Sequence, residues 1–199
     1  MILSTFIDGA RHRLGGSQEK AVEFVAKAGF DAWDFTMIAM AWYNPKLGKI
    51  MDDHPLTCNG RLAYARKLRQ IGEDNGIFCN QSHAPYPAWY KGVVDSYKHA
   101  IECTAEAGAK ICVMHPDNYK SAEENAEIFY DLVPFARDCD VKIAIENMCT
   151  YDEKLGKFLP TAACSTPDDF LKHLAQIDSP YFVACLDIGH AELRELRFP

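Results

Sequence analysis

The stretch Val141-Lys-Ile-Ala-Ile-Glu146 decides the fold, because it is a short and nearly continuous apolar run that ends in an acid. Such a run is typical of a parallel strand that is buried on both faces. Similar β-rich runs precede and follow it, and helical stretches separate them. The predicted strands cover residues 2–7, 30–35, 77–83, 110–115, 141–146 and 181–187. This alternation predicts βαβ units and a parallel sheet.

Capping residues mark several of the helices between these strands. Ser17 is a suitable N-cap for the apolar face that runs to Ala28, and Gly29 stands where that helix should end. Thr166 and Pro167 open another helix with an N-cap and a proline at the first helical position. The other helices are predicted at about residues 57–76, 93–107 and 123–136.

The repeated βα units favour an α/β fold of (β/α)8 TIM-barrel type. A doubly wound open sheet competes with it, but that fold usually has a glycine-rich phosphate turn after its first strand, and Arg13-Leu-Gly-Gly16 lacks the required spacing. A complete barrel normally needs about 250 residues, so 199 residues allow only about six βα units. We therefore expect a single domain over residues 1–199 that lacks the C-terminal two βα units.

Composition and charge exclude several classes of protein. No apolar run approaches the roughly 18 residues of a membrane span, and the N-terminus lacks the pattern of a signal peptide. The 8 cysteines are scattered without a C-x-x-C pair, which indicates reduced thiols and a cytoplasmic protein. The net charge of −7 repels polyanions, so a nucleic-acid partner is disfavoured.

Metal-capable residues stand at the ends of four successive predicted strands. His83 ends the third strand, His115 the fourth, Glu146 the fifth and Asp187 the sixth, with His190 shortly after. In a barrel these positions meet at one mouth, and their imidazole and carboxylate groups suit Zn²⁺ or Mn²⁺, with Mg²⁺ as a further candidate. Each residue also has a structural alternative: a hydrogen-bonded loop histidine, a carboxylate paired with a lysine or arginine, or a helix-capping turn.

The same residues carry a resemblance to a known family. His83-Ala-Pro, His115-Pro, Ile145-Glu-Asn147 and Cys185-Leu-Asp-Ile-Gly-His-Ala-Glu192 resemble the xylose isomerase-like TIM-barrel superfamily. Its members include sugar isomerases, ketose 3-epimerases and the endonuclease IV group. The resemblance implies a metal-dependent sugar or sugar-phosphate isomerase or epimerase that transfers a proton next to a ketose carbonyl.

The resemblance also implies roles for individual residues. Glu146 would be a metal ligand and one of two acid/base carboxylates, and Asp187 would be the second metal ligand. His190 would contact substrate oxygens or, in the endonuclease-like arrangement, a further metal. His83 and His115 would be zinc ligands in that arrangement, or substrate-binding and supporting residues in the isomerase-like one. The family's remaining histidine and glutamate come from the seventh and eighth strand regions, beyond the end of this sequence.

Two other functions compete with the isomerase. An endonuclease IV-like zinc phosphodiesterase fits the two histidines, but the acidic net charge and the absence of a basic stripe oppose it. A non-catalytic fragment or subunit would need a complementary segment, from another chain or a second copy, because an unclosed barrel exposes two sheet edges. The expected partner is a small sugar or sugar phosphate and not a membrane.

Aromatic and basic residues near the predicted mouth suggest substrate contacts. Trp33 ends the second strand and Trp89 follows His83, so each could form an apolar wall for a sugar or could equally pack in the core. Trp42 and its neighbour Tyr43 lie in a long loop that could act as a lid. Residues 154–157 begin and end with lysine, which could bind a substrate phosphate or remain solvated.

Overall fold

Strands and helices alternate along the described parts of the chain. The computed structural model describes residues 1–152, 157–159 and 162–195. Its strands are β1 Ser4–Phe6, β2 Ala32–Thr36, β3 Tyr43–Asn44, β4 Lys49–Ile50, β5 Phe78–His83, β6 Ile111–Met114, β7 Lys142–Glu146, β8 Thr150–Asp152, β9 Lys157–Leu159 and β10 Phe182–Cys185. Its helices are α1 Asp8–Arg13, α2 Gln18–Lys27, α3 Arg61–Asp74, α4 Tyr97–Glu106, α5 Ala122–Tyr130, α6 Leu132–Asp138, α7 Pro167–Ala175 and α8 Ile188–Glu195.

One parallel sheet organises the molecule. Its 6 strands follow the order β1-β2-β5-β6-β7-β10, and each neighbouring pair is parallel. Helices α2, α3 and α4 pack side by side in succession, and α6 packs against α4. Among the described residues β1 and β10 each pair on one side only, so the sheet is an arc of a barrel that does not close. The predicted incomplete (β/α) barrel is confirmed.

The two faces of the sheet have different surroundings. Ile143 and Ile145 of β7 are fully buried in a hydrophobic core that also contains helix residues such as Ala65 and Leu68. Side chains alternate between the faces of a strand, so Glu146 points to the opposite face from Ile145. The alternate apolar residues of β7 therefore face the helix layer outside the arc of the sheet, and Glu146 faces the concave side of that arc.

The capping signals predict helix ends correctly. Ser17 accepts a hydrogen bond from the amide of Lys20, and Gly29 has a φ of +87°, which glycine adopts without a steric penalty. Thr166 caps α7 by accepting from the amide of Asp169. Both helices form where the sequence indicates, because the caps satisfy backbone groups that the helix leaves unpaired.

Other boundaries differ from the prediction. The single helix expected over 123–136 is two helices, α5 and α6, which meet at Asp131. Pro134 explains the break, because proline lacks an amide proton and its ring clashes with the carbonyl four residues earlier. The helix expected from residue 57 begins at Arg61, after the 3₁₀ turn Pro55–Thr57. Helix α1 and the hairpins β3–β4 and β8–β9 were not predicted, because they are too short to show a periodicity.

The expectation that residues 1–199 form one domain stays a prediction. Within the described ranges, no helix combines the length and the apolar character that crossing a bilayer would require.

Candidate metal centre

The carboxyl ends of four parallel strands bring the predicted polar residues together. His83 is the last residue of β5, His115 follows β6, Glu146 ends β7, and Asp187 and His190 follow β10. Two overlapping groups result: His83, His115 and Glu146, and then Glu146, Asp187 and His190. Within each group the potential ligand atoms lie within 4.8 Å of one another. Glu146 belongs to both groups.

Glu146 is a buried carboxylate between imidazole rings. It is 3% exposed, and its Oε2 atom lies 2.7 Å from Nε2 of His115 and 3.7 Å from Nε2 of His83. Burial favours the neutral acid, but the two histidines outweigh it and hold the pKa of Glu146 well below its usual range. Among the side chains of residues 1–150 and 162–193, no lysine or arginine forms an ion pair with it. The alternative of a structural lysine or arginine pair is therefore not observed there.

The donor set of this centre fits a divalent cation. Oε2 of Glu146 is buried yet makes no contact with hydrogen-bond geometry, although two ring nitrogens approach it. A carboxylate oxygen and imidazole nitrogens that converge on one point without hydrogen bonding suit a shared ion, and such ligands suit Zn²⁺ and Mn²⁺. His83, His115, Glu146 and Asp187 are the side chains that could hold it.

Asp34 supports His83, and sequence reasoning missed it. It lies in the middle of β2, is buried, and has both carboxylate oxygens 3.0 Å from Nδ1 of His83. Gln81 also donates to Asp34 at 2.7 Å. A carboxylate only accepts hydrogen bonds, so Nδ1 of His83 carries the proton and Nε2 is turned toward Glu146. The signal was a lone acid in the apolar run Ala32-Trp-Asp-Phe35.

The same contacts control the charge of His83. Burial favours the neutral ring, but Asp34 and Glu146 outweigh burial and raise the pKa of His83 to about 10. Without a cation, a proton on His83 therefore balances the carboxylates at neutral pH. A metal ion at this position would replace that proton.

His115 is held from two directions. The ring of Tyr86 lies over it, with 4.3 Å between ring centroids. The chain after His115 is tied down by Asn125 of α5, which accepts from the amide of Asp117 at 2.8 Å and donates to its carbonyl at 3.1 Å. His173 of α7 contacts Asn125 in turn. The loop that follows β6 is therefore clamped by buried polar groups.

Asp187 and His190 form the other side of the centre. Oδ1 of Asp187 accepts from the amide of His190 at 2.8 Å, so the predicted capping role is present alongside any ligand role. Nδ1 of His190 lies 2.9 Å from the carbonyl oxygen of Asn147. A carbonyl can only accept, so Nδ1 carries a proton and only Nε2 of His190 is available to a ligand.

The two tryptophans have different environments. Trp33 is 0% exposed and packs in the core, with its ring so close to Gly72 of α3 that an added Cβ would lie 2.7 Å from Nε1. Of the two alternatives left open for Trp33, the structure therefore has the packing in the core: Trp33 points to the helix layer, while Asp34 points to the concave face. Trp89 is half-exposed in the segment after β5, and its ring meets that of Tyr119 at 5.2 Å.

Phe6 is a further aromatic residue at this edge that the sequence did not single out. It ends β1, and its ring meets His83 edge-on at 5.4 Å. The suggested phosphate contact at residues 154–157 lies outside the described side chains.

Comparison with known proteins agrees with this geometry. The sequence profile of the xylose isomerase-like TIM barrel family matches residues 22–196. An uncharacterized protein of Methanocaldococcus jannaschii is 27% identical over 193 residues, an alignment that covers 88% of this chain and 57% of that protein. The chain thus spans little more than half the length of this curated relative.

Solved structures of the same shape are distant in sequence. A D-tagatose 3-epimerase-like protein superposes with a TM-score of 0.67 and is 22% identical in sequence. A D-psicose 3-epimerase solved in the presence of D-fructose has a TM-score of 0.63 and is 13% identical. They match 96% and 98% of this chain and 66% of their own chains. A family 2 AP endonuclease from Brucella melitensis has a TM-score of 0.63 and is 11% identical in sequence. The match covers 98% of this chain and 72% of that chain. These likenesses show the fold, and the profile match shows that the chain belongs to the xylose isomerase-like TIM barrel family.

Proposed function

We propose that this chain carries the metal-binding part of a sugar isomerase or epimerase that transfers a proton next to a ketose carbonyl. The observation that carries the proposal is the buried carboxylate of Glu146, which makes no hydrogen bond through Oε2 although imidazole nitrogens surround it. The substrate would be a small ketose or its phosphate. The 8 cysteines all lie in described parts of the chain and form no disulfide, which supports a cytoplasmic location.

The residues divide the work by their chemistry. A bound Mn²⁺ or Zn²⁺ would supply Lewis-acid polarisation of the substrate carbonyl. Glu146 has a lowered pKa and is ionised at neutral pH, which is the form that both a ligand and a base require. Asp34 orients His83, and the proton on Nδ1 of His190 leaves Nε2 free to contact a substrate oxygen. Phe6, Tyr86 and Trp89 offer apolar surface for one face of a sugar.

Metal content tests the first part of this proposal. Chain stripped with a chelator, reloaded with Mn²⁺ or Zn²⁺ and desalted should retain stoichiometric metal by elemental analysis. Glu146→Gln should abolish retention, and Asp187→Asn should reduce it. The exposed carboxylates Glu127 and Asp131 provide the matched controls Glu127→Gln and Asp131→Asn, which should retain metal like the wild type. Retention that is unchanged in Glu146→Gln would contradict the proposal.

Solvent exchange tests the chemistry. Removing a proton next to a carbonyl needs only one base, so the metal-loaded chain should incorporate deuterium from D₂O into a ketose at that carbon. Mass spectrometry of ketoses and ketose phosphates after incubation would detect it, and Glu146→Gln should eliminate it. Metal retention without any exchange would favour the alternative of a non-catalytic chain that needs a complementary segment for catalysis.

A zinc phosphodiesterase is the second candidate. The observation in its favour is the imidazole-rich group of His83, His115 and Glu146, because zinc prefers such ligands. The net charge of −7 opposes it, since binding to nucleic acid depends on neutralising phosphates. Retention of more than one zinc ion per chain, with cleavage of an abasic-site oligonucleotide and no ketose exchange, would favour this candidate over the epimerase.

A further inference from the structure

Asn147 makes a paired contact with the backbone of Asp187. Its side-chain Oδ1 accepts from the amide of Asp187 at 2.6 Å, and its Nδ2 donates to the carbonyl of Asp187 at 2.9 Å. Asn147 is 8% exposed, so water competes little for these bonds. One side chain thus satisfies both backbone groups of a candidate ligand that lies 40 residues further along the chain.

The contact of Asn147 with Asp187 extends the pairing of β7 with β10 beyond the ends of the two strands. The ladder between β7 and β10 ends where Glu146 is opposite Cys185, and the amide of Asn147 donates to the carbonyl of Cys185. Both strands end at that point. The side-chain amide of Asn147 then supplies one donor and one acceptor to the backbone of Asp187, as a peptide group of a neighbouring strand would. Other side chains at position 147 do not reproduce this pair of bonds: aspartate lacks the donor, alanine lacks both groups, and glutamine is one methylene longer.

The backbone of Asn147 also holds His190. Its carbonyl accepts the Nδ1 proton of His190 at 2.9 Å. Since Asn147 directly follows Glu146, the residue links the shared carboxylate at the end of β7 to both polar groups that follow β10.

We propose that Asn147 is a positioning residue that holds Asp187 and His190 against Glu146. It acts through these neighbours and not by binding the ion or the substrate. The consequence for metal affinity rests on the proposed function, whereas the consequence for the order of the turn after β10 does not.

Amide hydrogen exchange measures the order of that turn directly. In Asn147→Ala, without metal, the exchange rate of the Asp187 amide should rise at least about 10-fold, because its acceptor is removed. Asn125→Ala is the matched control, since Asn125 is a buried asparagine that makes the same two bonds to Asp117. It should raise exchange at Asp117 and leave Asp187 unchanged. Unchanged exchange at Asp187 in Asn147→Ala would overturn the proposal.

A double-mutant cycle measures the effect on the centre. Calorimetric titration with Mn²⁺ should show about 10- to 100-fold weaker binding for Asn147→Ala, the usual cost of losing a group that orients a ligand. In an Asp187→Asn background the same substitution should cost less than about 3-fold, because the ligand it positions is already lost. Asn147→Asp keeps the acceptor and lacks the donor, so it should restore part of the protection of the Asp187 amide that Asn147→Ala loses.

The outcomes separate this inference from the proposed function. Equal losses of affinity in the wild-type and Asp187→Asn backgrounds would show that Asn147 does not act through Asp187, and would overturn the inference. If the wild type binds neither Mn²⁺ nor Zn²⁺, the proposed function fails, and exchange at the Asp187 amide alone decides the role of Asn147. Circular dichroism at the titration temperature should show that each variant is folded.

Discussion

The two halves of the candidate centre are built differently. His83 ends β5 and His115 follows β6, and both strands have a hydrogen-bonded neighbour on each side. The side chains of His83 and His115 are 17% and 11% exposed. Asp187 and His190 follow β10, the last strand of the described sheet, and their side chains are 37% and 25% exposed. Glu146 joins the two halves.

The difference shows how preformed each half is. A buried carboxylate, Asp34, and a clamped loop orient the histidines of the first half before any ligand arrives. The second half depends on the contacts of Asn147 at the edge of the described sheet. Segments with few buried contacts open more easily than a core, so we expect the first half to be rigid and the second to gain order when metal binds.

Removing the shared carboxylate should have the largest effect on stability. Glu146→Ala leaves histidines buried without their partner, and breaking a buried pair in this way costs about 3–5 kcal/mol. Asp187→Ala removes a partly exposed cap and should cost only about 1 kcal/mol. Urea denaturation of the metal-free variants at pH 7 would compare the two free energies of unfolding. Equal costs would refute the difference between the halves.

The pH dependence of stability should come from the first half. Because the pKa of His83 rises from 6.5 to about 10 on folding, its proton stabilises the folded state fully below pH 6.5. That stabilisation is lost as the pH rises through about 10. One pKa unit is worth about 1.4 kcal/mol, and part of the interaction is shared with Glu146, so we expect a loss of about 3 kcal/mol. Urea titrations of the metal-free protein from pH 6 to 10 would measure it.

The control for this pH effect is His83→Gln, which should flatten the dependence because no ring remains to titrate. His190→Gln should leave most of it in place, since the second half does not carry the effect. If the free energy of unfolding of His83→Gln still falls between pH 6 and 10, the pH dependence comes from other groups.

Disturbing the orientation of His83 should weaken metal binding without removing a ligand. Asp34→Asn keeps the size of the side chain but loses the charge that holds the Nδ1 proton, and we expect about 10- to 100-fold lower Zn²⁺ affinity. Competition titration with a chromogenic chelator would measure it. Asp31→Asn is the control, because Asp31 is near in sequence but bonds to the backbone of Leu3. Wild-type affinity in Asp34→Asn would mean that Asp34 does not orient the first half.

The smallest effect is expected at Trp89, an aromatic residue outside both halves. Trp89→Leu should raise the KM for a ketose a few-fold and change the free energy of unfolding by less than about 0.5 kcal/mol, because the ring is half-exposed. Kinetics of deuterium incorporation and a urea titration would give the two values. A fall in metal affinity in this variant would extend the first half to the segment after β5.

Much of the fold and of the centre could be predicted from the chain alone. The apolar run before Glu146 and the caps at Ser17 and Thr166 are local signals, and they predict a parallel strand and two helix starts correctly. Parallel strands end at the same edge of a sheet, so the order of His83, His115, Glu146 and Asp187 along the chain was enough to predict that they meet. This convergence requires no knowledge of side-chain packing.

The tertiary structure decided which side chains face the centre. The register between β2 and β5 shifts between Trp33 and Asp34, so that Trp33 is opposite Cys79 and Asp34 is opposite Gln81. Side chains alternate with a period of two, so which strand positions come to lie beside each other depends on such an irregularity, and no local pattern marks it. For that reason the sequence alone overlooked the contact of Asp34 with Gln81 and His83. The pairing of Asn147 with Asp187 likewise depends on two strand ends that only the folded sheet brings together.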